Sequence, residues 1–304
     1  QLANFCKVKQ LAVSYAGLKD RHAVTSQWFS VQLPGKPTPD WEAFEAFFSE
    51  ASSVESIRVL QSFRHNRKLQ RGALKSNTFK ITLRDLSDAS ERALQQLKQR
   101  CDDIAQHGVA NYFGAQRFGR HLNNLEQVEK LFLKPRYKLA KHKRGLYLSA
   151  ARSWLFNCIL SERIKNNVWN QRLPGDVFML DGKSACFIDE LVEHAKLDIC
   201  ARLALNEIHP TAILWGQGDV MVTAQAAELE MSVIDQFPVF RDGLVSARLQ
   251  AQRRACRLLP RDMTCYQQDN NFVVGFTLPP GSYATVVLSE IFSYLQQPDN
   301  NKVA

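Results

Sequence analysis

The chain is organised around one stretch, YAGLKDRHAVTSQ, at residues 15–27. The stretch places a single carboxylate, Asp20, between Lys19 and Arg21, three residues after a glycine. Apolar residues before it and alternating residues after it predict two short strands, one at 11–16 and one at 28–33. A loop tied at both ends keeps a reactive side chain accessible on a rigid base. The same residue types also form ordinary turns, because Asp hydrogen-bonds to nearby backbone, and spacing alone leaves both interpretations open.

Composition limits the class of protein. A chain of 304 residues with 45% hydrophobic content can bury a core and form two domains or one large one. The formal net charge of +9 and the pI near 9.2 favour a polyanionic partner, although charge alone does not choose between tRNA, DNA and an anionic membrane. The sequence shows neither an apolar run of the roughly 20 residues that a membrane span needs nor a signal peptide at its start. We therefore expect a cytoplasmic protein without membrane contact.

The cysteines and histidines do not form a recognisable ligand pattern. The seven cysteines include no Cys-x-x-Cys pair, which is typical of reduced thiols in the cytoplasm. The seven histidines show no metal-binding spacing, so the sequence predicts no metal. A glycine-rich dinucleotide motif and a Walker loop are also missing, so no nucleotide cofactor is expected.

Periodicity predicts alternating strands and helices along the rest of the chain. Asp40 is placed to cap a short helix, and Gly108 is placed to end a longer one. The predicted strands are 57–61, 78–84 and 272–278, with a hairpin at 177–188, and the predicted helices are 40–48, 87–107, 122–131, 149–166, 189–205, 223–237, 248–261 and a last one opening at 281–283.

Three basic segments stand out: residues 64–75, a predicted loop at 134–144, and the arginines of the predicted helix 248–261. A run of like charges is usually a solvated face. Clustered cations are also what a protein uses to neutralise nucleic-acid phosphates. The hypothesis that these segments follow one RNA path remains open at this stage.

Four motifs occur in order along the chain. They are GxKDxxAxTxQ at 17–27, RHxRKLxxGxLxxNxF at 64–79, NYFGxQRFG at 111–119 and LPxGSYAT at 278–285. Together they resemble the TruD family of tRNA pseudouridine synthases. The chain departs from the family pattern at Ser76, where a glycine is usual, and it begins at Gln1, inside what resembles the second helix of the family. By this resemblance, the N-terminal segment of the family, which supplies further substrate-facing residues there, is absent from the sequence.

The resemblance implies an α+β fold with two domains. A catalytic pseudouridine synthase domain, built on a mixed and largely antiparallel sheet, is expected at residues 1–107 and 260–304. A mainly helical inserted domain is expected at 108–259, and the two domains of the family form a V-shaped cleft for RNA. We place the boundary near Gly108, where the sequence changes from a helical pattern to an aromatic, glycine-punctuated one.

The resemblance also implies an activity, the isomerisation of uridine to pseudouridine in tRNA at position 13, by a monomer without cofactor or metal. Asp20 is then the catalytic residue, either as nucleophile on the anomeric carbon or as base that gives a glycal. Neighbouring cations favour the ionised carboxylate.

The substrate-binding residues implied by the resemblance are Asn77 for hydrogen bonds, Phe79 for the pocket wall and Tyr283 for stacking, together with Lys19 and Arg21. Stacking uses the face of a ring, so the Tyr283 hydroxyl has no expected role. Two other functions fit the residues alone: a non-catalytic tRNA-binding or RNA-maturation module, and a hydrolase that cleaves the glycosidic bond without rejoining it.

Overall fold

The structure is a computed structural model that describes residues 1–17, 19–20, 22–51, 55–70, 72–84, 90–134, 136–137, 139–190 and 193–292, without the side chains of 51 and 193–197. Arg21, Arg71, Lys138 and residues 87–89, which enter the predictions above, lie outside the described residues. The chain forms two compact units, Gln1–Ser76 and Asn77–Ala304, and each is described by itself. In the described ranges, no helix is both long and apolar enough to cross a bilayer.

The first unit contains the elements α1 (Leu2–Phe5), β1 (Val13–Tyr15), β2 (Phe29–Val31) and α2 (Trp41–Ala51). The strands β1 and β2 pair antiparallel, so both strands predicted around the 15–27 stretch are confirmed. Asp40 Oδ1 accepts hydrogen bonds from the backbone amides of Glu42 and Ala43, at 3.0 and 3.2 Å, and this confirms the predicted cap of α2.

The strand predicted at 57–61 is wrong. These residues form neither helix nor strand. The backbone amide of Val59 donates to Glu45 Oε1 at 2.6 Å. A side chain of α2 therefore satisfies this amide in place of a neighbouring strand.

The second unit contains a longer series of elements. They are β3 (Asn77–Leu83), α3 (Glu91–His107), β4 (Val109–Ala110), α4 (Asn123–Leu133), α5 (Lys141–Lys165), β5 (Val177–Leu180), β6 (Cys186–Ile188), α6 (Glu193–Ala204), β7 (Ile208–Leu214), α7 (Ala224–Ile234), α8 (Pro238–Ser246), β8 (Gln252–Ala255), β9 (Arg257–Leu258), β10 (Arg261–Gln268), β11 (Asn271–Leu278) and α9 (Ala284–Ile291). The sheets are ordered β10-β11-β3, β4-β9 and β6-β5-β7-β8, with antiparallel neighbours throughout.

Two hydrophobic cores occupy this unit. The first is centred on α5, whose Phe156 and Ile159 are fully buried, and it draws its buried residues from 110–256. The second lies between the β10-β11-β3 sheet, α3 and α9, and its buried residues come from 101–109 and 258–291. One core gives way to the other near Gly108 and residue 257. The domain division predicted at 108 and 260 stays a prediction, because the compact units divide the chain at Ser76 instead.

The junction near Gly108 depends on the absence of a side chain. Gly108 ends α3 with φ of +74°, a backbone conformation that other residues rarely adopt. A Cβ at this position would lie 2.6 Å from the carbonyl oxygen of Leu258. Because residue 108 has no side chain, α3 can end in close contact with β9. The position of Gly108 directly after the helix agrees with the helix end predicted from the sequence.

The helix predicted at 248–261 is wrong, because this segment forms β8, β9 and the start of β10. Arg248 and Arg261 are exposed, whereas the three arginines between them are buried or partly buried. Arg253 pairs with Glu230 at 2.6 Å, and the two side chains are 4% and 2% exposed. Arg257 is 5% exposed and donates to the carbonyls of Leu203 and Ile208. Arg253 and Arg257 therefore do not contact phosphates as the RNA-path hypothesis requires.

His209 joins β7 to this arginine segment. Arg257 Nε donates to His209 Nδ1 at 2.9 Å, so the proton of a neutral ring lies on Nε2, which faces Asp181 Oδ1 at 2.9 Å. Burial lowers the pKa of His209, and the cations of Arg257 and Arg261 lower it too, whereas Asp181 raises it. The net direction is downward, so the folded protein holds His209 neutral.

This pKa shift predicts a pH dependence of stability. The unfolded chain takes up a proton at His209 below its ordinary pKa of 6.5, and the folded chain resists it, so the free energy of unfolding falls as pH falls below that value. Urea titrations between about pH 5 and pH 7.5 measure the slope. We expect a smaller slope for His209→Asn and an unchanged slope for the control His22→Asn, which is exposed and lies outside the helices and strands. Equal slopes in all three proteins would contradict the assignment.

Candidate active site

Asp20 lies on an accessible segment of the first unit. The described residues between β1 and β2 form neither helix nor strand, and Asp20 is exposed. The pair formed by Tyr15 and Phe29 closes the segment, with ring centroids 5.9 Å apart. Gly17 begins it with φ of +81°, and a Cβ there would lie 3.5 Å from the Leu74 side chain. The structure thus confirms the loop and its two anchors, while a catalytic role for Asp20 stays a prediction.

The basic segment of the first unit docks on the same two strands. Ser14 Oγ donates to the carbonyl of Leu69 at 2.8 Å, and the amide of Leu69 donates to Ser30 Oγ at 3.0 Å. Lys68 reaches the carbonyl of Leu11. The first two motifs are therefore held together through β1 and β2. Lys19 is partly buried, and Arg21 lies outside the described residues.

Asn77 and Phe79 lie on β3, at the start of the second unit. Their side chains share the partly buried face of the strand. Phe79 is opposite Phe276 with ring centroids 5.6 Å apart, and it packs against the second hydrophobic core. Asn77 is opposite Leu278, the last residue of β11. The register therefore puts Asn77 at the end of the sheet where the chain continues to Tyr283, while Phe79 belongs to the sheet's core-facing side.

Tyr283 brings the third and fourth motifs together. It is the N-cap residue of α9, and its ring lies so close to Gly114 that a Cβ there would be 2.9 Å from Cδ1. The ring meets Phe113 edge to face at 6.1 Å. Arg117 Nε donates to the Tyr283 hydroxyl at 2.9 Å. The hydroxyl therefore has a structural partner that no local sequence pattern predicts.

Arg254 ties the same two motifs to strand β8. Its Nη2 donates to Asn111 Oδ1 at 2.6 Å, and its Nη1 donates to the carbonyl of Gly281 at 3.1 Å. The guanidinium carbon lies 4.0 Å from the centre of the Phe113 ring, a cation–π contact. Burial lowers the pKa of Arg254 to about 10, so the side chain is still a cation at neutral pH. Neutral oxygens and aromatic faces stabilise this cation.

Helix α5 holds the third motif, residues 111–119, through side-chain hydrogen bonds. Asn157 Oδ1 accepts from the amide of Phe113 at 2.9 Å, and Asn157 Nδ2 donates to the carbonyl of the same residue at 3.0 Å. Tyr112 shares a hydrogen bond of 2.9 Å with Ser161. Neither Asn157 nor Arg254 was singled out as a site residue from the sequence. Asn157 left one signal, a polar residue among the apolar ones of a helix.

Metal-ligating side chains are not clustered in the described part of the chain, where no three His, Cys, Asp or Glu residues come together at a suitable distance for an ion. The seven cysteines are free thiols, and Cys200 is exposed. Independence from metals and cofactors stays a prediction.

Comparison with known proteins shows which family this chain belongs to. The sequence model of TruD, described as tRNA pseudouridine synthase D, matches residues 1–143 and 121–291. A tRNA pseudouridine synthase D of Methylococcus capsulatus is 44% identical over 295 residues, which cover 97% of this chain and 79% of that protein. The corresponding protein of Nitrosococcus oceani is 41% identical and covers 96% of this chain and 78% of its own length. This chain belongs to the TruD family.

The fold is shared with a solved structure. A crystal structure of a Methanosarcina mazei protein that carries the TruD label matches 96% of this chain and 84% of its own chain with a TM-score of 0.67. The identity is 21%, so the likeness concerns the fold alone. It supports the α+β architecture with antiparallel sheets.

The contact between Gly114 and Tyr283 predicts a specific stability effect. In Gly114→Ala, the new Cβ would lie 2.9 and 3.1 Å from Tyr283 Cδ1 and Cγ, so the ring must shift. We expect a loss of about 1–3 kcal/mol in the free energy of unfolding, typical of overpacking. The control Gly145→Ala places its Cβ in open space on α5 and should stabilise the protein by up to about 1 kcal/mol, because alanine favours a helix more than glycine does.

A double-mutant cycle measures whether the ring causes this loss. In a Tyr283→Ala background the ring is gone, and Gly114→Ala should then cost much less. Urea denaturation of the four proteins measures the coupling. An identical cost in both backgrounds would place the strain somewhere other than the ring.

Proposed function

We propose that this chain isomerises uridine to pseudouridine in tRNA, at position 13, with Asp20 as the essential carboxylate. One observation carries the proposal: the Asp20 carboxylate is exposed on a segment that β1 and β2 tie at both ends, within the motif of the TruD family. Reactive side chains on a rigidly anchored loop are positioned without being buried. The curated relatives carry the name of this activity.

The reaction needs a carboxylate and no change of oxidation state. The bond from C1′ to N1 of uracil breaks, a bond from C1′ to C5 forms, the proton on C5 goes to solvent, and N1 gains a proton. Asp20 can attack C1′ and form a covalent ester, or it can remove a ribose proton and give a glycal. Both routes use an ionised Asp20 at neutral pH, and both stay open.

Other residues have proposed roles in holding the nucleotide. A uridine in folded RNA must leave its stack before its sugar can be reached, and stacking on a protein ring offsets part of that cost. Tyr283 supplies this ring, Asn77 donates or accepts hydrogen bonds to the substrate, and Phe79 shapes the pocket by supporting its wall. Lys19 and Arg21 contact the substrate beside Asp20.

Asp20→Asn tests the catalytic assignment. The amide keeps the size of the side chain and loses its charge, so pseudouridine formation should fall by at least about a thousandfold, while the Kd for tRNA stays within a few-fold. The assay is tritium release from tRNA labelled at C5 of uracil. Asp102→Asn, an exposed aspartate on α3, is the control and should react at the normal rate.

The same assay separates the competing functions. Isomerisation releases tritium to water, whereas hydrolysis releases labelled free uracil and binding alone releases nothing. A wild-type protein that binds tRNA and releases no tritium would overturn the proposal. A normal rate in Asp20→Asn would leave the activity standing and remove Asp20 from the chemistry.

The start of α5 is the strongest candidate for an RNA contact in the second unit. The loop predicted at 134–144 ends early, because Lys141, His142, Lys143 and Arg144 form the first turn of α5. All four side chains are exposed, and the turn contains no acid. The first turn of a helix carries a partial positive charge, which repels cationic side chains placed there. This arrangement therefore weakens the helix unless an anion binds. RNA phosphates would supply that anion.

The salt dependence of binding tests this surface. Each lost phosphate contact lowers the slope of log K against log salt by about 0.7–0.9, so Lys141→Gln, Lys143→Gln and Arg144→Gln together should lower it by up to about 2–3. Lys165→Gln is the control, because it lies at the other end of the same helix, roughly 36 Å away. An unchanged slope in the triple variant would make the surface a solvated face.

We also propose that the protein works as a monomer in the cytoplasm. Its seven free thiols are compatible with a reducing compartment. Light scattering behind a sizing column measures the mass directly, and a dimer mass at micromolar concentration would contradict the monomer.

A further inference from the structure

The ring of Tyr283 is restrained at three places in the second unit. Gly114 lies under the ring, Phe113 meets it edge to face, and Arg117 holds the hydroxyl. The first two contacts limit where the ring can lie. The hydrogen bond from Arg117 Nε acts at the far end of the side chain, where a small rotation about the Cα–Cβ bond moves the oxygen most. The oxygen lies on the axis of the Cβ–Cγ bond, so Gly114 and Phe113, rather than Arg117, limit the rotation of the ring about that bond.

Arg117 is itself held in place. Its Nη1 donates to Ser149 Oγ on α5 at 3.2 Å, and its carbonyl accepts from Asn124 Nδ2 on α4 at 3.0 Å. Gly119 closes this turn with φ of +74°, and a Cβ there would lie 2.9 Å from the Asn124 side chain. The guanidinium carbon stands 5.4 Å from the centre of the Phe113 ring. Helices α4 and α5 therefore fix both ends of the arginine.

The contacts of Arg117 are with neutral groups. Within the described residues, its side chain forms hydrogen bonds to two hydroxyls, those of Tyr283 and Ser149, and no carboxylate pairs with it. A hydrogen bond from a charged donor is stronger than one between neutral groups. This makes the contact with the Tyr283 hydroxyl an effective restraint on the ring.

We propose that Arg117 is the positioning residue for Tyr283: by fixing the hydroxyl it holds the ring at the place where it receives the uracil. The inference rests on the stacking role of Tyr283 proposed above. It changes one expectation, because the hydroxyl now matters although stacking itself does not use it. In this chain Tyr283→Phe leaves the ring in place and removes its restraint.

Four proteins test the proposal: the wild type, Tyr283→Phe, Arg117→Met and the double variant. Methionine keeps much of the length of arginine and removes its donors. We expect the single-turnover rate of tritium release to fall roughly threefold to thirtyfold in each single variant. The double variant should be no slower than the slower single one, because both changes remove the same contact. The Kd for tRNA should change by less than about twofold.

Arg120→Met is the matched control. Arg120 is an exposed arginine on the following turn, and its loss should change neither the rate nor the melting temperature. If the arginine served only the fold, Arg117→Met would lower the melting temperature with a normal rate at a temperature where the protein is folded, and the proposal would be wrong.

Two further results would overturn it. Losses that multiply in the double variant would show that Arg117 acts independently of the Tyr283 hydroxyl. A weaker Kd with a shallower salt slope would make Arg117 a phosphate contact instead. Tyr283→Ala distinguishes these failures from a failure of the stacking role: a normal rate in that variant removes Tyr283 from the site, whereas a slow one leaves stacking in place and restricts the failure to Arg117.

Discussion

One cation without an anionic partner among the described residues organises the second unit, the guanidinium of Arg254. Taking a charge out of water costs several kcal/mol, and here Asn111, the carbonyl of Gly281 and the face of Phe113 offset that cost. Lysine could not replace it, because only a planar fork can donate in two directions while its flat side rests on a ring. The turn that leads into α9 and the start of the NYFG motif therefore share one donor, the guanidinium of Arg254.

Local rules predicted much of the fold. An apolar run located β1, and alternation located β2, β3 and β11. Asp40 and Gly108 marked a helix start and a helix end, because caps depend on residues close in sequence. The ordered motifs placed Asp20 on an accessible loop and Tyr283 at the start of a helix. These features need no knowledge of distant partners.

The predictions that failed concern residues whose contacts lie far away in the sequence. Arginine is normally exposed, so the sequence predicted that Arg253 and Arg254 lie on the surface. Both instead hydrogen-bond inside the protein, to Glu230 and Asn111, which are 23 and 143 residues away in sequence. Strand β7 was missed because six of its seven residues are buried, which removes the alternation that identifies a strand. The contact of the Tyr283 hydroxyl with Arg117 spans 166 residues. Pairings of this length are properties of the tertiary fold and have no local pattern.

The order β10-β11-β3 affects how the protein is made. Strand β3 lies at the edge of its sheet and pairs with β11, so Thr78 meets Thr277, 199 residues later in the chain. A ribosome that adds roughly 5–20 residues per second leaves β3 without this partner for about 10–40 s. During that interval the strand exposes Phe79 and Ile81 beside unpaired backbone groups, and the core around α5 is completed only when residue 256 has been made, shortly before β11. The sequence of β3 must therefore resist aggregation while the strand is unpaired during synthesis. This constraint is separate from the role of its residues in the finished protein.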